Sequence, residues 1–572
     1  MSTLLRRWTP GLVTLRNYER GWLRFDLIAG VVLAAILVPQ GMAYAELAGL
    51  PAVTGLYTTI ACLVAYAVFG PSRVLVLGPD SSVSPLILAS ITPLVVVGDP
   101  GSAIALAGML AVLVGVIEIG LGIARLGFVA DLLSSEVRVG YLNGLAVTII
   151  VGQLPKLFGF STDGDGFVDE LRQFVDHLDE RNTTTLLTGL AVLAVLLVLP
   201  RLTTKVPAVL VAVVGVTVAS AVLDLAAEGV ATVGTLPSGF PKPSLPWTDA
   251  SDAVALLVGA VGITMVSLTD TIATASSFAA RRGDQVDADA EMVGVGASNV
   301  AAGVFGGFAV SVSGSRTAVA DQSGARTQAT GLVGAGLVAL LLVVFNGLLA
   351  DLPQAALAAV VIAAALSLMD IPALVRFAQL RRSSFVVSLV ASAGVVFLGV
   401  LQGIVVAIVL AILLFFRRNW WPHGAVLGRV PELDGWHSLA AYPAATQSEG
   451  IVVFRWEAPL FFANAGQFRD QVLALVREHE PTHVVLQCEA VTDIDVTAAE
   501  VLRELDEQLN ERGVHLAFVE VRDRLRSLIL RYGLGSTLDE HHFYPSVDVA
   551  IAALRVEDRE RRAVHDEDGG TP

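Results

Sequence analysis

Apolar runs long enough to cross a lipid bilayer recur between positions 26 and 416. The hydrocarbon core of a bilayer is about 30 Å thick, and a helix of about 20 apolar residues crosses it. Only 16% of the 572 residues are charged, against about 25% in soluble domains, so a soluble enzyme is excluded for most of the chain. The twelve full-length runs lie at 26–50, 53–70, 102–124, 131–153, 184–200, 206–223, 252–280, 288–306, 329–350, 353–370, 383–399 and 401–416.

Two further runs, 77–95 and 310–320, are broken or short. Such runs are typical of half-helices that begin inside a membrane protein, and they raise the predicted number of segments to fourteen. With a cytoplasmic N-terminus, fourteen segments place most arginine and lysine residues, including Arg73 and Arg282, in cytoplasmic loops, as the positive-inside rule requires. We therefore expect a multi-pass protein of the cytoplasmic membrane with both termini in the cytoplasm.

Charged residues return after Arg417, where short apolar runs alternate with amphipathic patterns typical of an α/β domain. Its predicted strands lie at 451–456, 460–463, 483–488 and 514–519, and its predicted helices at 465–478, 498–511, 522–531 and 547–554. Cys62 and Cys488 are too few for a disulfide framework or a zinc cluster. We predict a cytoplasmic N-terminal segment (1–25), a transmembrane domain (26–418), a linker (419–439), an α/β domain (440–556) and a disordered charged tail (557–572).

The first candidate site lies in the middle of the first segment, around Pro39. Proline removes a backbone hydrogen bond and the nearby Gly41 loosens the helix, which leaves carbonyl groups free beside the polar side chains of Gln40 and Tyr44. A kink that serves only packing is the alternative, since proline is common in membrane helices.

The next candidates are the starts of the two short runs. A helix that begins at membrane depth directs unpaired N–H groups and about half a positive charge into the protein. Two such ends facing each other would bind an anion. The alternative is that the serines cap their own helices, as serine commonly does. The residues concerned are Gly78, Asp80 and Ser81 in the first run, and Ser311, Ser313, Gly314, Ser315 and Arg316 in the second.

Asp270 is a carboxylate within the eighth segment. It lies roughly 15 Å along the helix from Arg281, which marks the inner surface, so we place it near the midplane of the membrane. Such a charge requires a partner, which could be a proton, a sodium ion or Arg316. Thr274, one turn later, could supply a further oxygen ligand. A buried pair between Asp270 and Arg316 without any transport function is the structural alternative.

Four other polar residues in the segments are weaker candidates. Glu46 and Glu118 lie nearer the ends of their segments, where they could reach water. Glu291 could cap the ninth segment, and Asn299 could bridge two helices. We do not expect these residues to bind the ligand.

The sequence resembles the SulP family of anion transporters, the sulfate permeases, over nearly its whole length. The resemblance rests on residues 39–45, 48–51 and 55–57 in the first two segments, 140–144 and 152–155 in the fifth, and 291–299 with Gly306 and Gly307 in the ninth. It implies two inverted seven-segment repeats, a core domain that moves against a gate domain, and an anion held between the third and tenth segments. It also implies that Gln40 and Tyr44 line this site, that Ser315 and Arg316 correspond to a Ser-Arg pair of animal members, and that the protein forms a homodimer.

Two positions depart from the family pattern. The acidic residue that some bacterial members carry before Ser267 is replaced by Val266, and the carboxylate follows one helical turn later as Asp270. Asp80 would repel an anion unless it caps the half-helix, is protonated or faces away. Coupling to a proton or sodium ion is implied by the family, but the cation is left open.

The C-terminal domain resembles a STAS domain, the fold of bacterial anti-sigma-factor antagonists. Val496 occupies the position of their phosphorylated serine, so a kinase switch is not expected there. Thr497 is a weaker candidate for modification, with helix capping as the favoured alternative. The domain could still bind a cytoplasmic protein partner.

These observations together predict a secondary active transporter and not an enzyme. The expected substrate is a small anion such as sulfate, bicarbonate or a dicarboxylate, carried in symport with a proton or sodium ion by alternating access. An uncoupled anion channel or exchanger is one alternative, and a membrane-anchored STAS signalling or sensor protein is another. We expect contacts with membrane lipid, no cofactor apart from the coupling ion, and no nucleic-acid partner.

Overall fold

A computed structural model divides the chain into two compact units, residues 1–412 and 413–572. Each unit is described separately below. The structure describes residues 8–96, 99–127, 134–162, 164, 166–203, 206–240, 243–246, 249–431, 433–534, 538 and 540–568. The beginning of the predicted N-terminal segment, the first residues of the predicted run at 131–153 and the end of the predicted tail lie outside this set.

The first unit is built from apolar helices. Seven of its described helices are long and apolar enough to cross a membrane, and five further apolar helices are shorter. The α-helices are α1 (Pro10–Arg16), α2 (Leu23–Leu47), α3 (Ala52–Phe69), α4 (Ser84–Ile91), α5 (Pro100–Ile123), α6 (Ser135–Phe158), α7 (Phe167–Asp176), α8 (Thr183–Leu202), α9 (Ala208–Leu223), α10 (Ala250–Arg282), α11 (Ala288–Val304), α12 (Gly314–Gln322), α13 (Ala329–Val344), α14 (Gln354–Leu368), α15 (Ile371–Leu380), α16 (Arg382–Leu398) and α17 (Val400–Trp420).

The helices follow the predicted order of fourteen segments in two inverted repeats, which confirms the fold class. Two short strands, β1 (Leu77–Gly78) and β2 (Ser311–Val312), precede the half-helices α4 and α12. The short amphipathic helices α7 and α15 were not predicted. Each follows the fifth segment of its repeat, and a search for long apolar runs cannot detect them because they are brief and half polar.

Glycines allow the helices of this unit to approach each other closely. A side chain at Gly55 of α3 would collide with the carbonyl oxygen of Gly41 in α2. A side chain at Gly115 of α5 would likewise collide with the backbone of Gly296 in α11. Small residues at contact points are typical of helix packing in membranes, where dispersion contacts and not the hydrophobic effect hold the helices together.

The second unit contains a six-stranded sheet with helices on both faces. Four consecutive strands pair in parallel, and the two strands before them form an antiparallel edge, so the order is β4-β3-β5-β6-β7-β8. Its elements are β3 (Gly424–Arg429), β4 (Trp436–Ser438), β5 (Ile451–Trp456), α18 (Ala465–His479), β6 (His483–Gln487), α19 (Val496–Asn510), β7 (His515–Val519), α20 (Asp523–Arg531), β8 (Phe543–Tyr544) and α21 (Val547–Asp568).

Three of the predicted boundaries in this unit are wrong. The sheet begins at Gly424, so the segment predicted as a linker (419–439) contributes β3 and β4. The predicted strand at 460–463 is a turn in which only Leu460 makes a β-bridge, to Ile494. Part of the predicted disordered tail, as far as Asp568, continues helix α21.

The C-terminal core separates into two apolar clusters, one on each face of the sheet. Phe454 and Phe518 belong to the cluster on one face, and Val485 and Leu554 belong to the cluster beneath α21 on the other. Cys488 is buried in the first cluster. Burial raises the pKa of its thiol above the ordinary value, which keeps the group protonated and unreactive at neutral pH.

Candidate functional site

The two half-helices start from one small β-structure inside the first unit. Strands β1 and β2 pair antiparallel, with Leu77 opposite Val312 and Gly78 opposite Ser311. The N–H of Ser313 also donates to the carbonyl oxygen of Val76 at 3.1 Å. Because the backbone groups are paired in this way, the starts of α4 and α12 are held at a fixed separation.

Beside these helix starts lies a cavity of about 1060 Å³. It brings together residues that are far apart in the sequence, from the first, third, eighth and tenth segments. The predicted site residues that line it are Gln40, Tyr44, Asp80, Ser81, Asp270, Thr274, Ser313, Gly314, Ser315 and Arg316.

Ser311 does not line the cavity and is therefore a correction to the predicted set. It is fully buried in β2 opposite Gly78. The cavity lining begins at the next two residues, Val312 and Ser313, so the buried Ser311 lies just outside it.

Arg316 is the most unusual residue of this site. Its side chain is only 1% exposed, and none of its three guanidinium nitrogens donates a hydrogen bond to a residue that the structure describes. Its Nη2 atom lies 3.6 Å from Oδ2 of Asp80, which is an ion pair but too long for a good hydrogen bond. A Cβ atom at Gly78 would lie 2.8 Å from Nη1 of Arg316, so the backbone of β1 passes directly beside the guanidinium.

Asp80 shapes the start of the third segment. Its Oδ1 atom accepts hydrogen bonds from the N–H of Ser82 at 3.0 Å and from the Ser82 hydroxyl at 2.8 Å. Its carbonyl oxygen accepts from the N–H of Ser84 at 3.0 Å. The Asp80 carboxylate therefore closes the turn that leads into α4 and at the same time faces Arg316. It does not cap α4 itself, as one of the expectations for it required, because the N-cap position is Val83 and has no side-chain cap.

Asp270 lines the same cavity as this ion pair. Its Oδ2 atom is 3.2 Å from the hydroxyl of Ser82, and Thr274 follows one turn later on the same lining. Among the residues that the structure describes, the carboxylate within 4.0 Å of Arg316 is that of Asp80 and not that of Asp270. The alternative of a closed Asp270–Arg316 pair is therefore wrong.

Tyr44 and Gln40 reach the cavity from the helix that contains Pro39. Proline at this position removes the bond that its N–H would make to the carbonyl of Ala35. Tyr44 is buried and lies next to Ser81. The polar groups predicted in the first segment therefore belong to the same site as the half-helix starts.

Arg138 also lines the cavity, from the first turn of α6, and was not predicted. It lies two residues before the sequence 140–144 that carried the family resemblance. A charged residue within a predicted span is the signal that could have identified it.

The weaker candidates lie outside the cavity lining. Glu118 is fully buried, so the expectation that it reaches water is wrong; it accepts a hydrogen bond from Asn299 at 2.8 Å. Asn299 bridges helices as expected. Glu291 accepts from Tyr66 at 2.6 Å and from Ser72, and Glu46 lies 3.8 Å from Lys156.

In the second unit, the position that corresponds to a phosphorylated serine is the start of α19. Val496 is 59% exposed there. The Oδ1 atom of Asp495 accepts a hydrogen bond from the N–H of Ala498 at 2.8 Å, so Asp495 caps this helix, and the expectation that Thr497 does so is wrong.

Comparisons with known proteins agree with this arrangement. The sequence model of the sulfate permease family matches residues 23–391, and that of the STAS domain matches residues 442–550. The "Probable sulfate transporter Rv1739c" of Mycobacterium tuberculosis is 42% identical over 551 residues, which is 96% of this chain and 98% of that protein. Human "Solute carrier family 26 member 6" is 32% identical over 82% of this chain and 65% of its own.

Two solved structures are similar in fold. The murine Slc26a9 anion transporter in the inward-facing state superimposes with a TM-score of 0.88, at 23% identity, over 97% of this chain and 95% of that chain. The transmembrane domain of the cyanobacterial bicarbonate transporter BicA gives a TM-score of 0.61, at 23% identity, over 69% of this chain and 98% of that chain.

Proposed function

The chain belongs to the sulfate permease family, and from this premise we propose that it is a secondary active transporter of sulfate. The substrate would bind between the starts of α4 and α12, and a proton or sodium ion bound at Asp270 would accompany it. The whole site lies in one cavity of the membrane unit.

The buried guanidinium of Arg316 carries this proposal. Burying a charge is costly unless hydrogen bonds or a counter-ion compensate it. Among the described residues Arg316 has only a long ion pair with Asp80, so its buried donors are not occupied by protein acceptors. A planar guanidinium beside two helix N-termini is well suited to an oxyanion, since all three features favour negative charge.

Sulfate is the favoured substrate because relatives of high coverage are named as sulfate transporters. Backbone N–H groups and hydroxyls recognise negative charge more than shape. Bicarbonate and a C4-dicarboxylate are therefore the two competing substrates to be tested beside it.

Asp270 supports the coupling part of the proposal. The carboxylate lines the cavity, and its hydrogen-bond partner is the hydroxyl of Ser82. Arg138 is the positive side chain that acts on it in the same cavity. A cation that neutralises Asp270 would lower the cost of bringing an anion into the same cavity, and the anion would do the same for the cation. Reciprocal binding of this kind is what symport requires.

The residues at the open end of the cavity indicate the conformational state of the transporter. Its lining includes Thr203 and Pro207, which connect α8 and α9, and Asp370 at the start of α15. The segment count places all of these on the cytoplasmic side. We infer that this conformation is open to the cytoplasm, and that movement of the gate helices against the core exposes the site to the other side.

The proposal is tested by reconstituting the purified full-length protein in liposomes. Uptake of labelled sulfate, bicarbonate and fumarate is measured with and without an inward proton or sodium gradient. Accumulation of sulfate above equilibrium only when a gradient is present is the expected result. Flux that merely equilibrates would favour the uncoupled channel or exchanger, and no flux of any of the three anions would favour the sensor hypothesis.

The variant Asp270→Asn tests the coupling site directly. It should abolish gradient-driven accumulation while leaving sulfate exchange measurable, because the amide retains the volume but cannot balance a cation. Asp284→Asn is the matched control, since this exposed carboxylate follows the same helix α10 outside the main cavity. Unchanged accumulation in Asp270→Asn would remove Asp270 from the coupling mechanism.

The assembly of the protein belongs to the same proposal. We infer a homodimer and a cytoplasmic partner of the STAS domain from the family alone. Cross-linking in native membranes tests the first, and co-purification with residues 413–572, the compact C-terminal unit, tests the second.

A further inference from the structure

Three short contacts connect Arg316, the proposed anion-binding residue, with Asp270, the proposed cation-binding residue. Arg316 lies 3.6 Å from Oδ2 of Asp80, Oδ1 of Asp80 lies 2.8 Å from the hydroxyl of Ser82, and the same hydroxyl lies 3.2 Å from Oδ2 of Asp270. Ser82 itself is only 1% exposed and does not line the cavity. It therefore lies behind the binding surface, between the two carboxylates.

Ser82 has one hydroxyl proton and two carboxylate acceptors. A hydroxyl donates one hydrogen bond at a time, so it bonds either Asp80 or Asp270 and leaves the other carboxylate without that donor. The shorter distance to Asp80 assigns the donor to Asp80 in this conformation.

The ion pair between Arg316 and Asp80 is open to competition. At 3.6 Å it lacks the short, directed bonds of a closed arginine–carboxylate pair, which are about 2.7–2.9 Å long. An oxyanion in the cavity can form such bonds with the same guanidinium. Asp80 and the substrate are thus two anions that compete for the guanidinium of Arg316.

We propose that Asp80 is an internal counter-ion that the substrate displaces from Arg316, and that its freed negative charge then acts through Ser82 on the cation site at Asp270. Without substrate, Arg316 neutralises Asp80. With substrate on Arg316, two carboxylates remain joined by one hydroxyl, and Arg138 is the other described positive side chain that lines the cavity. The coupling cation is then held more tightly.

This inference rests on the proposed function and specifies how anion and cation binding communicate. Thermodynamic reciprocity requires that the cation raise the affinity for the anion by the same factor. The communication can therefore be measured at equilibrium, without transport.

The experiment measures the affinity of the detergent-purified full-length protein for labelled sulfate. It is measured with and without sodium, and at acidic and alkaline pH. In the wild type, the coupling cation should raise the sulfate affinity by about tenfold, within the usual range of coupling between sites. We call the ratio of the two affinities the cation ratio.

Two variants should lower the cation ratio to within about twofold of unity, well below the typical coupling range. Ser82→Ala removes the shared hydroxyl and should leave the cation-free sulfate affinity within about threefold of the wild type. Asp80→Asn removes the competitor of sulfate at Arg316, so its cation-free affinity should rise several-fold. A rise of the cation-free affinity in Asp80→Asn is not expected if that variant merely disturbs the fold.

Ser84→Ala is the matched control. Ser84 is a buried serine of the same half-helix, but its hydroxyl donates at 2.8 Å to the carbonyl oxygen of Asp80 and not to a carboxylate. This variant should keep the cation ratio of the wild type. Thermal melting of each protein identifies a variant that has lost its fold, and Ser82→Cys, whose thiol is only a weak donor, then replaces Ser82→Ala.

The outcomes separate this inference from the proposed function. A wild-type cation ratio that persists in Ser82→Ala, or a fall in cation-free affinity in Asp80→Asn, overturns the displacement of Asp80 while leaving coupled transport intact. A wild-type protein that binds sulfate without any cation effect overturns coupled transport, and the inference is overturned with it.

Discussion

The starts of the two half-helices share a backbone arrangement but differ in charge. Each follows a two-residue strand, and the two strands pair with each other. The third segment then presents Asp80, whereas the tenth presents Arg316. Symmetry-related parts of the fold thus place one acid and one base on the same cavity.

This difference indicates that the repeated backbone supplies the positive potential of the site, whereas the side chains set how strongly an anion is held. Two helix N-termini and an arginine alone would hold an oxyanion strongly. A transporter must also release its substrate, as a channel site must bind weakly enough for its ion to leave. Asp80 opposite Arg316 would weaken anion binding at such a site.

The largest expected effect comes from removing the base. Arg316→Gln should weaken sulfate binding by about 30-fold, which corresponds to the roughly 2 kcal/mol of hydrogen bonds to a charged group. Equilibrium binding of labelled sulfate measures it. Arg282→Gln, which breaks the pair with Asp321 outside this cavity, is the control. Similar losses in both variants would show that Arg316 acts only on stability.

A second test compares the glycines at the two starts. Gly78→Ala would place a Cβ 2.8 Å from Arg316 Nη1 and push the guanidinium away, so sulfate affinity should fall by about tenfold, which is equivalent to roughly 1.4 kcal/mol. The nearest atom to a Cβ at Gly314 is the Thr274 hydroxyl at 3.8 Å. Gly314→Ala should therefore cost several-fold less, and equal effects would mean that the close approach at β1 has no consequence for binding.

The smallest expected effect concerns the cap of the tenth segment. Ser313 accepts a hydrogen bond from the N–H of Arg316 at 3.5 Å. Ser313→Ala should weaken sulfate binding by about two- to fivefold, in line with the roughly 0.5–1 kcal/mol of a weak N-cap. Ser90→Ala is the control, because that hydroxyl bonds only within its own helix, to Leu86. An unchanged affinity would restrict the hydroxyl of Ser313 to helix capping.

The fold of the membrane unit could be predicted because its segments are long, apolar and separated by charged loops. The half-helices were predicted for the opposite reason, since Pro79 and the serines interrupt their runs. Helix α7 and strands β3 and β4 were missed because short amphipathic helices and edge strands leave only a weak pattern in one sequence.

The candidate site could be predicted only as far as side-chain type allows. Ser311 was chosen for its hydroxyl, but it is fully buried in β2, just outside a lining that begins at Val312. Arg138 was missed because a charge near the end of a span usually reaches the interface. The pairing of Arg316 with Asp80 and not with Asp270 depends on which segments cross, which sequence spacing does not reveal.

The pairing of β1 with β2 also has a consequence for how such a site can diverge. Main-chain hydrogen bonds set the distance between the two helix ends, so substitutions of side chains can change substrate preference without altering that distance. An insertion or deletion of one residue is different. It would shift the pairing of β1 with β2 by one residue, about 3.3 Å along the strands, and so move one helix start relative to the other. The local length of the chain is therefore more restricted than its composition.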